Sequence, residues 1–379
     1  MRVIGTHKIS YLELRSFAGM PYTNYEVRKV QDFVKIFTHT YWKFKNKPHP
    51  FLTNLFWDFG LNKYELLHFF NAINIGNQPW ITSFERYIPR GAHQYGTFPK
   101  ENKYIDFVLK RATHSSCKKL IALSNYAYTS QKKYLQRYGK YEEEILEKTI
   151  VMHPPQRPLL NNYSEKQLDS EFLSFTIVGA DFFRKGGKEI AMVFDKLLKE
   201  GCPVKLNIIS SLDYGDYASG STKEDLHLVD KIIAQNNNIK YHKRLPNSSV
   251  LELLKSSHIG LLPTYDETYG FSVLENQAAG CPVITTNGGA LPEINNNEIG
   301  WMIELPKDDD GRILPRSKSA KDNFTETVFT SLYAIILEAL NNRNLIKQKG
   351  EKSISHIEKN HNINSHVVQL EKIYDEALK

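Results

Sequence analysis

The chain is predicted to fold around an open, doubly wound α/β sheet, and three observations carry this. Short apolar runs rich in β-formers alternate with amphipathic helical stretches between residues 173 and 286. The crossovers between runs are long enough for parallel pairing, and Gly-rich or polar loops follow two of the runs. Right-handed crossovers then give one sheet with helices on both faces, whose ligands lie beyond the carboxyl ends of the strands.

In chain order, Leu173–Val178 reads as the first strand of this half. Lys188–Glu200 follows as a helix, with Ile190, Val193, Phe194, Leu197 and Leu198 at helical spacing and Gly201 where a C-cap belongs. Val204–Ile209 is a strand, and Ser221-x-x-Glu224 reads as a capping box opening a helix with Leu228, Val229, Ile232 and Ile233 on one face. Ile239–His242 is a strand, and Ser249-x-x-Glu252 reads as the cap of the next helix. Ile259–Pro263 is a strand, Phe271–Ala279 a helix stopped by Gly280, and Pro282–Thr286 a strand. That makes five strands and four helices.

The first half is less regular. Glu65–Phe70, Pro79–Phe84, Lys119–Leu123 and Lys148–Met152 are strand candidates, with helical stretches at 101–116 and 125–138, so a second, aromatic-rich α/β domain is expected. Pro154, Pro155, Pro158, Asn161 and Asn162 give 153–170 the composition of a linker. The expected domains are 1–155 and 172–357, joined by a linker at 156–171, with 358–379 as a C-terminal helix that packs back on the first domain. Residues 325–379 read as helical, ending in an apolar stripe over Val367–Leu378.

Composition narrows the function. A length of 379 residues suits two to three domains, and 41% hydrophobic with 24% charged residues excludes collagen-like, disordered and disulfide-scaffold chains. Three scattered cysteines (Cys117, Cys202, Cys281) read as reduced thiols. No apolar run reaches the roughly 20 residues of a membrane span, and Met1–His7 opens no apolar signal segment, so a cytoplasmic protein is expected. The net charge of +7 is unevenly shared: residues 1–170 carry 25 basic and 14 acidic side chains, whereas the remainder is net acidic. The first half is thus expected to face something anionic.

The most informative stretch runs from Pro263 to Glu293. A strand ends at Pro263, a loop carries Glu267, Gly270 permits close backbone approach, and a helix begins near Phe271. The free amides of a helix N-terminus suit phosphate, and Glu275, one turn in, can accept hydrogen bonds from two vicinal hydroxyls such as those of a ribose. A second loop, Val178-Gly179-Ala180-Asp181-Phe-Phe-Arg184-Lys185-Gly186-Gly187, offers charge and backbone donors to a diphosphate.

The frame Pro263-x3-Glu267-x2-Gly270-Phe271-x3-Glu275-x4-Gly280-x-Pro282-Val-Ile, followed by Gly288-Gly289-x3-Glu293, resembles the retaining GT-B glycosyltransferases of family 4, the group 1 type. The resemblance implies two Rossmann-like domains facing across a cleft. It implies that Glu267 contacts donor-sugar hydroxyls, Glu275 the ribose, and Lys185 the donor diphosphate, with Gly186 and the Tyr269-Gly270-Phe271 backbone beside it. Arg244, in Lys243-Arg244-Leu245-Pro246, lies where the base would be read. The family commonly has Gly-Arg where this chain has Gly179-Ala180-Asp181, leaving Arg184 as the candidate substitute. In the first half, Phe84 stands where relatives place a histidine, so Glu85 becomes the acceptor-side candidate, with His68 and Arg90 behind it.

On this reading the chain moves a sugar from a nucleoside diphosphate sugar to a glycan or lipid-linked acceptor, with retention, without metal and without a resident cofactor. The product would belong to cell-surface polysaccharide. The alternatives are a non-catalytic glycan- or membrane-binding protein on the same scaffold and another enzyme such as a sugar-nucleotide epimerase or a phosphorylase. The basic first half, including Tyr41-Trp42-Lys43-Phe44-Lys45-Asn46-Lys47, suits peripheral contact with a membrane face. No RRM, KH or helix-turn-helix signature supports nucleic acid. Asp308-Asp309-Asp310 contains a DxD pattern but sits in a polar turn, and the histidines show no zinc spacing. His68, in an apolar run, reads as a satisfied core histidine, and Ser124 lacks the elbow glycines of a nucleophile.

Overall fold

The computed structural model describes residues 1–46, 52, 54–90, 103–166 and 171–379. The chain divides into two compact units, one of residues 1–155 with 362–379 and one of residues 156–361.

In chain order the first unit comprises β1 (Arg2–Thr6), α1 (Tyr11–Glu13), β2 (Tyr25–Lys29), α2 (Val34–Lys45), β3 (Leu55–Phe56), β4 (Leu66–Phe70), β5 (Ile73–Asn74), β6 (Trp80–Phe84), α3 (Lys103–Thr113), β7 (Cys117–Ala122), α4 (Asn125–Tyr138), α5 (Glu142–Glu147) and β8 (Thr149–Val151). Six of the strands form a parallel sheet in the order β2-β1-β4-β6-β7-β8, and β3 and β5 pair separately. Every residue of β4 and β6 is buried, the signature of strands covered on both faces. That continuous burial is why these two strands were readable as apolar runs. The edge strand β2 and its neighbour β1 were not foreseen, because each carries exposed residues at one end and Gly5 interrupts the apolar pattern of β1. Residues 101 and 102 of the expected helix at 101–116, and Lys47 of the aromatic-basic run, lie outside the described residues.

The second unit runs β9 (Leu173–Val178), α6 (Gly187–Lys199), β10 (Val204–Ile209), α7 (Lys223–Gln235), β11 (Ile239–His242), α8 (Asn247–Lys255), β12 (Ile259–Leu262), α9 (Phe271–Ala278), β13 (Val283–Thr286), α10 (Leu291–Ile294), β14 (Trp301–Ile303), α11 (Lys318–Asn341) and α12 (Arg343–Asn360). Its sheet is parallel, in the order β11-β10-β9-β12-β13-β14. This is the Rossmann order, with the direction of winding reversing between β9 and β12. Ile190, Val193, Phe194 and Leu197 of α6 are buried on it, as their spacing predicts.

The sheet has six strands where five were expected. Trp301–Ile303 is only three residues long and follows an Asn-rich turn, so its pattern is too short to register. Both capping assignments also shift. Thr222, not Ser221, caps α7, bonding reciprocally with Asp225. Ser249 and Glu252 lie inside α8, which opens after Pro246, and Glu252 pairs with Lys255 instead. The stretch read as linker packs in the second unit: the Leu159 amide bonds to the Ala278 carbonyl, and the Lys166 ammonium donates to the Ala279 carbonyl at 2.7 Å. Residues 167–170 of that stretch lie outside the described residues.

The last helix, α13 (Ile363–Ala377), belongs to the first unit. Its Tyr374 is fully buried, with its hydroxyl 2.8 Å from His68 Nδ1 and 3.1 Å from the Tyr22 hydroxyl. His68 Nε2 meets the Ser83 hydroxyl at 2.9 Å and its ring stacks on Phe17. Burial drives the His68 pKa down to about 3, so it is a neutral, satisfied core histidine. Tyr374→Phe removes a hydroxyl that partners two buried groups and is expected to cost about 1–2 kcal/mol. The urea midpoint of the first unit's transition checks this; an unchanged midpoint would detach α13 from the unit's stability.

Candidate active site

The two loops singled out in the sequence leave neighbouring strands. One follows β9 and the other follows β12, so they meet where the winding reverses, the usual ligand position in an open α/β sheet. Lys185 and Glu267 face each other there, Nζ to Oε2 at 3.1 Å, with side chains only 10% and 14% exposed. Gly186 and Gly270 immediately precede α6 and α9 with φ of 77° and 98°. Both take left-handed conformations that a side chain would strain, and at Gly186 a Cβ would also collide with the Pro263 carbonyl. The turns that present Lys185 and the α9 N-terminus therefore require glycine.

Burial pulls the Glu267 carboxyl upward, but the attraction of Lys185 and Arg184, with hydrogen bonds from Lys185 and the Thr268 amide, outweighs it. The net pKa is lowered, and Glu267 is an ionised carboxylate. Arg184 donates to the Asp266 carbonyl at 2.6 Å and to Asp181 Oδ2 at 3.0 Å. Asp181 is the half-exposed partner, and it occupies the position where a Gly-Arg was expected. The Gly288-Gly289 loop closes over the same place, since a Cβ on Gly289 would strike the Glu267 carbonyl.

Tyr269 is buried, its ring 5.2 Å from that of Phe271, which opens α9. Glu275 is buried one turn into the same helix. Arg244 is exposed, on the loop between β11 and α8 at the same carboxyl edge of the sheet but on its outermost strand. The structure thus gathers Arg184, Lys185, Gly186, Glu267, Tyr269, Gly270, Phe271 and Glu275 around two adjacent strands, with Arg244 further along that edge.

One feature of this site escaped the sequence. Asp266, next to Glu267, is buried and bound by Arg312 through Nε at 2.9 Å and a second guanidinium nitrogen, and by the Tyr217 hydroxyl at 2.7 Å. Arg312 follows the Asp308 turn, in which Asp308 accepts the amides of Asp310 and Arg312. That turn is the DxD stretch, and its first carboxylate shapes the loop that delivers Arg312. The residues of this clamp lie 46 and 49 positions apart in the chain, so no local pattern signals it.

In the first unit, Glu85 follows β6 and is ion-paired with Arg90 at 3.1 Å. The corresponding winding reversal lies between β1 and β4. There the buried Thr6 Oγ1, His7 Nδ1 and Asn71 Nδ2 have no hydrogen-bond partner among the described residues. Burial, with the nearby Lys35 and Lys8 charges, lowers the His7 pKa to about 3, so its ring is neutral. Sequence reading looked for the acceptor side beyond β6 and passed over this edge, because β1 itself was not recognised.

With this geometry in place, the comparisons define the class. Residues 162–311 match the family described as "Glycosyl transferases group 1". Among curated proteins, the capsular polysaccharide biosynthesis glycosyltransferase CapM of Staphylococcus aureus is 31% identical over 121 residues, 32% of this chain and 30% of that protein. D-inositol 3-phosphate glycosyltransferase of Corynebacterium jeikeium is 26% identical over 88 residues, 23% of this chain and 21% of that protein. The chain spans less than a third of the length of these two relatives. The fold matches throughout: Anabaena HepE covers 99% of this chain and 100% of its own, with TM-score 0.59 at 11% identity. A glycosyltransferase from Rickettsia africae covers 94% of this chain and 86% of its own, with TM-score 0.56 at 17% identity. Residues 162–311 are thus similar to the group 1 glycosyltransferases, and the chain has the GT-B fold.

Two outcomes follow from the charges. Arg312→Ala leaves Asp266 buried without its cation and is expected to destabilise the second unit by about 3 kcal/mol, with Asp266→Asn/Arg312→Met recovering most of it. Thermal or urea unfolding of the single and double variants reads this. In the parent protein, the Lys185–Glu267 pair contributes above the ordinary carboxylate range and is lost as pH falls through the lowered Glu267 pKa. Lys185→Met lets burial prevail, so its carboxyl rises and the variant's deficit in melting temperature should shrink from neutral pH to about pH 4. A deficit that is constant with pH would deny the pairing.

Proposed function

We propose that this protein transfers a sugar from a nucleoside diphosphate sugar to a hydroxyl of a glycan or lipid-linked glycan, in the building of cell-surface polysaccharide. The observation that carries this reading is the ionised Lys185–Glu267 pair at the winding reversal, beside the glycine-opened start of α9. It is supported by solved relatives of the same fold: HepE has been crystallised with UDP and with UDP-glucose, and WaaG is described as involved in lipopolysaccharide biosynthesis. CapM carries capsular polysaccharide biosynthesis in its name.

On this reading Lys185 and Arg184 meet the diphosphate together with the first amides of α9. Fixed donors there stabilise the charge that develops on the leaving group, the role a cation would otherwise fill, so no metal or resident cofactor is needed. Glu267 accepts donor-sugar hydroxyls and Glu275 the ribose hydroxyls. Transfer proceeds with retention of anomeric configuration. The unpartnered polar atoms of Thr6, His7 and Asn71 supply hydrogen-bonding capacity for a polyhydroxylated acceptor, and Glu85, already paired with Arg90, is left as the weaker acceptor-side candidate. The basic first half gives the protein peripheral contact with a membrane face from the cytoplasmic side.

Calorimetric titration with UDP, GDP, ADP and CMP in chelator tests the donor site. One nucleotide should bind selectively, and Lys185→Ala and Glu275→Ala should each weaken it about tenfold or more. Absence of binding to all four would overturn the transferase reading. Conversion of the donor sugar to its epimer without acceptor would replace it with an epimerase.

A further inference from the structure

The aromatic, basic segment of the first unit folds as α2, and one face of that helix has no part in the site described above. Val34 is the buried anchor of α2, and Thr38 and Tyr41, four and seven residues on, are partly buried on the same side. A second apolar stripe runs at another angle. Ile36, Phe37 and Phe44 recur at helical spacing, yet they are 52%, 63% and 82% exposed. The stripe continues past the helix start: the Phe33 ring meets that of Phe59 at 5.4 Å, and Phe59 is itself half-exposed. Monomeric proteins rarely leave such a contiguous apolar surface in water without a use for it.

Charge identifies the occupant. Residues 28–47 carry six Lys and Arg against the single carboxylate of Asp32. Lys43 and Lys45 are exposed beside the apolar stripe. A second copy of the chain would bring like charges together around this face, whereas an anionic lipid surface neutralises them. At 12 residues α2 is far too short to span a bilayer, and no described helix is long and apolar enough to cross one. A short helix with aromatic residues on one side and lysines beside them suits the plane of the interface.

We propose that this face of α2 lies on an anionic bilayer, with Ile36, Phe37 and Phe44 at the boundary between headgroups and acyl chains. Lys43 and Lys45 lie against the lipid phosphates. This rests on the peripheral contact proposed above and gives it a place: the helix, rather than the diffuse positive charge of the first half, holds the protein to the membrane.

Co-sedimentation of the full chain with phosphatidylcholine vesicles, with and without phosphatidylglycerol, tests it. The parent protein should pellet with the anionic vesicles. Phe37→Gln/Phe44→Gln should reduce partitioning about tenfold or more on every vesicle, because two interfacial aromatics are lost. Lys43→Gln/Lys45→Gln should instead remove the preference for phosphatidylglycerol and flatten the loss of binding with salt. All these residues are exposed, and an unchanged urea midpoint for the first unit's transition certifies that each variant is folded. If the aromatic variant pellets like the parent, the helix face is not the anchor although peripheral contact stands. If the parent pellets with neither vesicle, both fail while nucleotide binding still decides the transferase reading. A concentration-dependent dimer abolished by Phe37→Gln/Phe44→Gln would assign the face to a second copy and overturn the proposal.

Discussion

Everything at the candidate site is organised around an ion pair that lies largely out of water. Lys185 and Glu267 come from loops on adjacent strands, and each would be costly to bury alone. Their separation of 3.1 Å depends on the register of β9 against β12 and on two turns that only glycine satisfies comfortably. The Asp266–Arg312–Tyr217 clamp then fixes the loop carrying Glu267 from its other side. Arg184 ties the two loops through the Asp266 carbonyl, so Asp266 is held by its backbone and its side chain at once. A carboxylate fixed this firmly stays ionised despite its surroundings, and it reorganises little when a ligand arrives.

The legibility of this arrangement in the sequence follows from what was local. β9 and β10 were placed residue for residue because each is a short, largely buried run ended by a polar turn, and β11 because its four residues lie between an Asn-rich turn and Lys243-Arg244-Leu245-Pro246. The Glu267–Glu275 frame was readable because spacing within one strand–loop–helix unit is preserved in the linear chain. The cap of α7 slipped by one residue for a physical reason. Ser221-x-x-Glu224 and Thr222-x-x-Asp225 are equivalent as patterns, and the choice falls to Thr222 because Asp225 is also paired with Lys188 across the fold. Ser249 failed as a cap because Pro246 had already opened α8, and a proline before the first turn is compatible with that start.

What remained hidden was long-range or disguised. The Asp266 clamp joins three separate loops, and no one of them is unusual by itself. Helix α2 was missed as an element because its apolar residues do not form a single stripe: Val34 and Tyr41 face inward, while Ile36, Phe37 and Phe44 face solvent. A pattern method sees two overlapping stripes as no periodicity. β1 was concealed for its own reason, exposed Arg2 at its start and Gly5 within it, and with it went His7 Nδ1 and Asn71 Nδ2, which have no hydrogen-bond partner among the described residues at the ligand edge of the first sheet. The residues that obscure the fold are therefore those with something to do outside the core.

The charges around Lys185 also determine how an anion could enter. Arg184 and Lys185 are each matched by a carboxylate, Asp181 and Glu267, so neither of these two cations stands unbalanced. The two pairs are unequal. Asp181 is half-exposed, so water compensates it when Arg184 turns away, whereas Glu267 is held on several sides and has little water to replace Lys185. On the proposed reading, a diphosphate would therefore draw Arg184 from Asp181 at small cost. Lys185 would bridge the diphosphate and Glu267 without leaving its partner. Glu267 would then remain ionised and oriented toward the sugar throughout. On that reading Arg184 would stand in for the arginine expected at Gly179-Ala180-Asp181, with Asp181 as the carboxylate it exchanges for the diphosphate.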